Sequence, residues 1–137
     1  RSVSRGLGDV YKRQCLMCIV SIFAACEGGT TFEKDFVNNS SETITIDMFI
    51  SSLTSYQETF EIAPNESKTI FWDDQMGRFT DDSYTCLNEI DSVHISISNG
   101  KTLTRDFMNA DNWEHSSKDG RNSRETCTFT IDDEHLE

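Results

Sequence analysis

Any chemistry in this chain must come from a short set of side chains. They are the acidic runs Asp73-Asp74, Asp81-Asp82 and Asp132-Asp133-Glu134, the histidines His94, His115 and His135, and five cysteines. Carboxylate runs suit a hard cation such as Ca²⁺, but a calcium loop spaces its ligands at alternate positions around a turn glycine. None of the three runs does so, and they read as a solvated acidic face. No two histidines share the spacing of a zinc-binding pair, and neither Cys86 nor Cys127 lies one helical turn from a histidine. No metal and no cofactor is expected. A serine nucleophile of the hydrolase type would sit in a G-x-S-x-G elbow, which the sequence lacks, so the chain does not read as an enzyme.

Cys26 is a different case. It closes a continuous apolar stretch, residues 15–25. At about 1.5 Å per residue that stretch is too short to cross a hydrocarbon core of ~30 Å. It has the length of a secretory h-region. The residues Phe23-Ala24-Ala25-Cys26 are similar to a lipobox, with Phe where Leu is usual. Small side chains before the cysteine suit signal peptidase II, and the thiol is the nucleophile that takes a diacylglyceryl group. The sequence therefore predicts lipidation at Cys26 and a bacterial outer-membrane lipoprotein, held in the cell envelope by its N-terminal lipid. In an exported chain the two later cysteines, Cys86 and Cys127, are expected to form a disulfide. Residues 4–14 equal the translation of a DNA adapter from transposon-based sequencing libraries. Residues 1–14 are therefore expected to be a non-native scar, followed by a truncated signal over 15–26, a tether over 27–31 and one domain over 32–137.

Setting residues 1–26 aside removes four of the 12 Lys+Arg and one of the 24 Asp+Glu, leaving 8 against 23 and a net charge of −15. So acidic a surface disfavours nucleic acid, whose phosphates call for Lys and Arg, and equally disfavours direct contact with anionic lipid headgroups. Cationic partners, metal ions and neutral glycans remain compatible. The remaining length suits one domain with one core.

The elements that must position these residues read as strands. Residues 43–48 alternate, with Ile44, Ile46 and Met48 on one face. The Asn38-Asn39-Ser40-Ser41 turn before them predicts a hairpin with a strand over residues 32–37. Residues 59–62 and 68–72 flank Ala63-Pro64-Asn65-Glu66 and are expected to pair, followed by a polar loop over 73–83. Val93, Ile95 and Ile97 alternate ahead of Asn99-Gly100, which predicts a two-residue hairpin with residues 101–107. Residues 108–125 read as a long loop, and Cys127, Phe129 and Ile131 share one phase of a last strand. About seven strands without a helix predict an all-β, two-sheet antiparallel sandwich of immunoglobulin-like type, the alternative being a small β-barrel.

The chain resembles small lipid-anchored lipoproteins of the Bacteroidetes. The resemblance rests on residues 38–40, 62–66, Cys86, residues 90–93, Asn99-Gly100 and residues 128–134. It implies an envelope lipoprotein and supplies no catalytic residues. Four aromatics are candidate binding residues: Phe49 and Phe71, out of phase with their inward neighbours, and Tyr84 and Trp113, in or near loops. Such rings stack on sugars or anchor a protein partner, and at strand ends they also cover the open end of a core. The expected function is a non-enzymatic binding or scaffolding module for an envelope protein or glycan, with residues 73–84 and 108–124 as contact loops. The alternatives are a structural or stress-related envelope protein without a ligand, and a secreted enzyme inhibitor.

Overall fold

The computed structural model describes residues 28–51, 56–77 and 84–137. Residues 1–14, the apolar stretch 15–25, Cys26 and Asp81-Asp82 lie outside the described residues. Seven strands follow in order: β1 (Gly29–Asn38), β2 (Ile44–Ile50), β3 (Tyr56–Ile62), β4 (Glu66–Met76), β5 (Ile90–Ile97), β6 (Trp113–Lys118) and β7 (Ser123–Ile131). They form a four-stranded sheet, β4-β1-β7-β6, and a three-stranded sheet, β3-β2-β5. Among the described residues the fold is all-β, with two sheets and no closed barrel.

Period-two alternation places the core. Ile44, Ile46, Met48 and Ile50 of β2 are fully buried, as are Cys127, Phe129 and Ile131 of β7. Phe36 lies on Phe129, with ring centroids 5.7 Å apart. The strand pairings differ from the sequence expectation in several ways. β1 pairs with β7 in parallel, so the four-stranded sheet is mixed. An immunoglobulin constant domain also divides four and three, but in the order A-B-E-D and C-F-G. Here the first strand lies between the fourth and the seventh.

Two expected hairpins are crossings between sheets. β1 and β2 do not pair, nor do β3 and β4. The side chain of Asn38 explains why both corners bend this way. Its amide donates to Glu42 O (2.8 Å), Ile62 O (3.2 Å) and Ala63 O (3.0 Å), and its Oδ1 accepts from Ser40 N (3.0 Å). One fully buried amide thus holds the end of β1, the approach to β2 and the exit of β3. At the second corner Glu66 N donates to Ala63 O, and Asn65 takes φ 59°, the left-handed turn position.

The third hairpin is also absent. Asn99 and Gly100 do take positive φ, 69° and 72°. They close a 3₁₀ turn, Ser98–Gly100, rather than a two-residue loop, and the chain leaves β5 for the other sheet. Residues 102–104 pair with the C-terminus instead, through Thr102 N to Glu137 O (2.7 Å) and Thr104 N to His135 O (2.9 Å). Arg105 fixes the crossing by donating from Nη1 to Thr130 O and from Nη2 to Asn112 O, both 2.8 Å. The expected loop over 108–125 contains β6, and the expected loop after Trp72 begins as the last four residues of β4. Gly29–Thr31, expected as tether, begins β1, with Thr30 buried. Gly28 approaches the 119–122 turn so closely that a Cβ there would overlap the Arg121 carbonyl.

Candidate binding site

The inner face of the four-stranded sheet changes character along its length. Toward Trp113 it is apolar: Phe36, Phe129 and Trp113 pack with Phe107. Toward Gly29 the same face turns polar. The registers align Phe71, Lys34, Cys127 and His115 in one row across the four strands. Asp73, Phe32, Glu125 and Ser117 form the next row, and Gln75, Thr30 and Ser123 the one after. The Cys86–Cys127 disulfide, with Cα atoms 5.5 Å apart, ties the turn before β5 onto this region. The expected bridge is present.

Lys34 is the unusual member. It alternates with Phe32 and Phe36, so its side chain points inward, and it is fully buried. Its Nζ has no hydrogen-bond partner among the described residues. It lies 4.3 Å from the Phe71 ring centroid and 5.8 Å from that of Tyr84. Burial pulls the Lys34 amine down to about 8, against partial opposition from the carboxylates of Glu89 and Asp73. A buried cation without a hydrogen-bonded partner is costly. The aromatic faces offset part of that cost.

A cavity of about 70 Å³ lies beside this side chain, which is one of its lining residues, while the amine itself stays sealed from it behind the neighbouring rings. Phe32, Phe71 and Tyr84 give it flat apolar walls, while Asp73, Gln75, Asn88 and Glu89 supply carboxylates and amides. The half-buried Tyr84 divides this cavity from a second polar group. Its ring centroid is 5.2 Å from Phe32 and 5.5 Å from His115. Burial pushes the Tyr84 phenol up to about 12, with Glu125 and Glu89 adding to it. Behind it, Glu125 meets His115 Nε2 at 2.8 Å and accepts from Ser117 Oγ at 2.7 Å. The chemistry on offer is recognition: N–H donors inside, acceptors at the mouth and apolar faces between them.

The four aromatics chosen from sequence separate. Tyr84 and Phe71 meet at the cavity, Phe71 as a buried wall. Phe71 is not exposed, because Ile70 has no partner in the β1–β4 register and forms a bulge. The extra residue turns Ile70 and Phe71 inward together, and Trp72, 58 % exposed, points outward in its place. Trp113 is core, its Nε1 donating to Phe107 O at 2.8 Å. Phe49 does project outward, from the far sheet. Lys34 escaped the sequence reading, although its phase between Phe32 and Phe36 was the available signal. At the expected acidic run Asp132-Asp133-Glu134, the donor atoms of Asp132, Glu134 and the adjacent His135 lie within 4.8 Å of one another. Asp132 and His135 there cap the last turn, with Asp132 N donating to His135 Nδ1 (3.0 Å).

Comparison of the chain with protein-family models, with curated proteins and with solved structures finds no match.

Proposed function

We propose that this chain is a non-enzymatic binding module of the bacterial cell envelope, an outer-membrane lipoprotein anchored through Cys26, whose ligand enters the Lys34 cavity. The observation that carries the binding reading is Lys34 itself: a fully buried amine, without a hydrogen-bond partner among the described residues, in the wall of a cavity that a ligand must widen to reach it. Export is supported by the Cys86–Cys127 disulfide, since such bonds persist in oxidising compartments. No helix among the described residues is long and apolar enough to cross a membrane.

The ligand class that suits the cavity is a neutral glycan carrying an acetamido group. Its carbonyl accepts from Lys34 Nζ, and its methyl rests on Phe71. The sugar hydroxyls donate to Asp73 and Glu89 at the mouth, and a pyranose face stacks on Tyr84. An anionic ligand is disfavoured by those same two carboxylates. The cavity has room for a few heavy atoms, which suits one substituent inside and the ring at the entrance.

Calorimetric titration with N-acetylglucosamine and with glucose tests this. The proposal predicts saturable binding of the acetamido sugar, weaker binding of glucose and loss of the difference in Lys34→Met. Equal behaviour of both sugars, or an unaffected Lys34→Met variant, would contradict it.

A further inference from the structure

We infer that the outer face of the four-stranded sheet, at its Gly29 end, lies against the headgroups of an anionic bilayer. This rests on the lipid-anchor reading above. Two independent observations meet at that end. First, Trp72 and Met76, 58 % and 91 % exposed, are the two most exposed large apolar side chains described. They alternate along β4 with Asp74, so all three point outward from the sheet. Secondly, the registers align Asp74, Thr31, Arg124 and Lys118 in one row across the four strands. Arg121 follows in the turn between β6 and β7. All three cations are exposed.

Charge singles out this end. Residues 27–137 carry a net −15, from 8 Lys+Arg and 23 Asp+Glu. Here Lys118, Arg121 and Arg124 stand against Glu33, Asp74 and Asp119, an even balance. Glu33 pairs with Arg124 at 3.4 Å, and Asp74 accepts from Thr31 at 2.6 Å. This patch can therefore approach an anionic surface from which the rest of the molecule is repelled. A tryptophan, a flexible apolar tip and long cationic stems are the side chains that settle at a headgroup boundary.

Chain length brings the patch there. Cys26 precedes Gly29 by three residues, which span at most about 11 Å when fully extended. β1 begins at Gly29 and Gly28 is fixed against Arg121. A lipid on Cys26 thus leaves little slack between bilayer and sheet. The two acyl chains of a diacylglyceryl group already anchor the chain stably, so the surface contact acts by orienting the sheet against the bilayer.

The test uses the chain from Cys26 onward, which contains every described residue. Cys26, its one thiol outside the disulfide, is coupled chemically to a maleimide lipid in phosphatidylglycerol vesicles. The expected result is a Trp72 emission shifted to shorter wavelength and quenched by brominated lipid, with a weaker response on phosphatidylcholine. A Trp72→Phe variant should lose that response, and Lys118→Gln with Arg124→Gln should reduce it. Emission unchanged on coupling, or a response that persists in Trp72→Phe, would overturn the inference. Because the anchor is supplied chemically, a native N-terminal peptide without lipid would refute the anchor reading alone.

Discussion

The Lys34 ammonium lies 4.3 Å from the centroid of the Phe71 ring, and both side chains are buried. This pairing depends on the β4 bulge at Ile70. Without the bulge, the Asp35–Thr69 register would set Ile70 opposite Lys34 and Trp72 opposite Phe32, both inward, and Phe71 would face solvent. The cavity, its aromatic wall and the exposed tryptophan on the opposite face share one local cause.

That relationship predicts opposite effects at adjacent positions. Phe71→Ala should destabilise the fold by about 3 kcal/mol, as a buried aromatic truncation does. Trp72→Ala should change stability by no more than about 0.5 kcal/mol, as an exposed substitution does. Denaturant unfolding of the two variants measures both. Equal costs would mean that the bulge is misplaced.

Replacing Lys34 should stabilise the protein. Met fills a similar volume without a charge to desolvate, so Lys34→Met is predicted to gain about 1–2 kcal/mol at neutral pH, even after losing the cation–π contact. The gain should shrink as pH rises. Burial lowers the Lys34 amine from 10.5 to about 8. Between those values the unfolded state binds more protons than the folded one, so the stability of the native sequence climbs with pH. Below about 8 both states are protonated and the cost of the buried charge is constant. The full window is worth at most about 3 kcal/mol. Parallel stability curves for the two proteins across this range would show that Lys34 is not the source.

The disulfide closes a separation of 41 residues between the turn before β5 and the centre of the four-stranded sheet. In the chain-entropy model, removing it in a Cys86→Ala, Cys127→Ala variant costs about 4 kcal/mol. Thiol titration of unreduced, denatured protein should find neither residue free. Recovery of both as free thiols would remove the bridge and the support it gives to export.

At Gly100 the backbone takes φ 72° and a Cβ would meet nothing within 4 Å. The cost of a side chain there is therefore conformational and not steric. Gly100→Val should lower stability by at least about 1–2 kcal/mol, since β-branched residues tolerate the left-handed region poorly. A melting temperature unchanged from the native sequence would rule out this turn conformation.

Alternation was enough for six of the seven strands and the inward phase of β7, and the two remaining cysteines of an exported chain pointed to the disulfide. β6, with Trp113 its one buried residue, carries no alternation, and residues 101–107 form no such strand. What alternation could not carry was which strand pairs with which. Turn chemistry at residues 38–41 and 63–66 marks a corner, and the same residues serve a hairpin or a crossing between sheets. The buried Asn38 amide, bonded to residues 4, 24 and 25 positions away, decides between them. Asn99-Gly100 shows the same limit: both residues adopt the backbone expected of them, and yet the chain pairs with its own C-terminus. The site was harder to read because a single bulge reverses the phase of β4 beyond Ile70. Lys34 was legible by phase, but its charge argues for the surface until the cavity beside it is seen.

The measurement that bears most directly on the central claim is the titration of Lys34 itself, followed by NMR of its Cε–Hε signals from neutral to alkaline pH. The account predicts a midpoint near 8 and signals that shift on addition of N-acetylglucosamine. A midpoint at the ordinary lysine value near 10.5, with no response to the sugar, would show an amine already solvated or paired and would contradict the binding site.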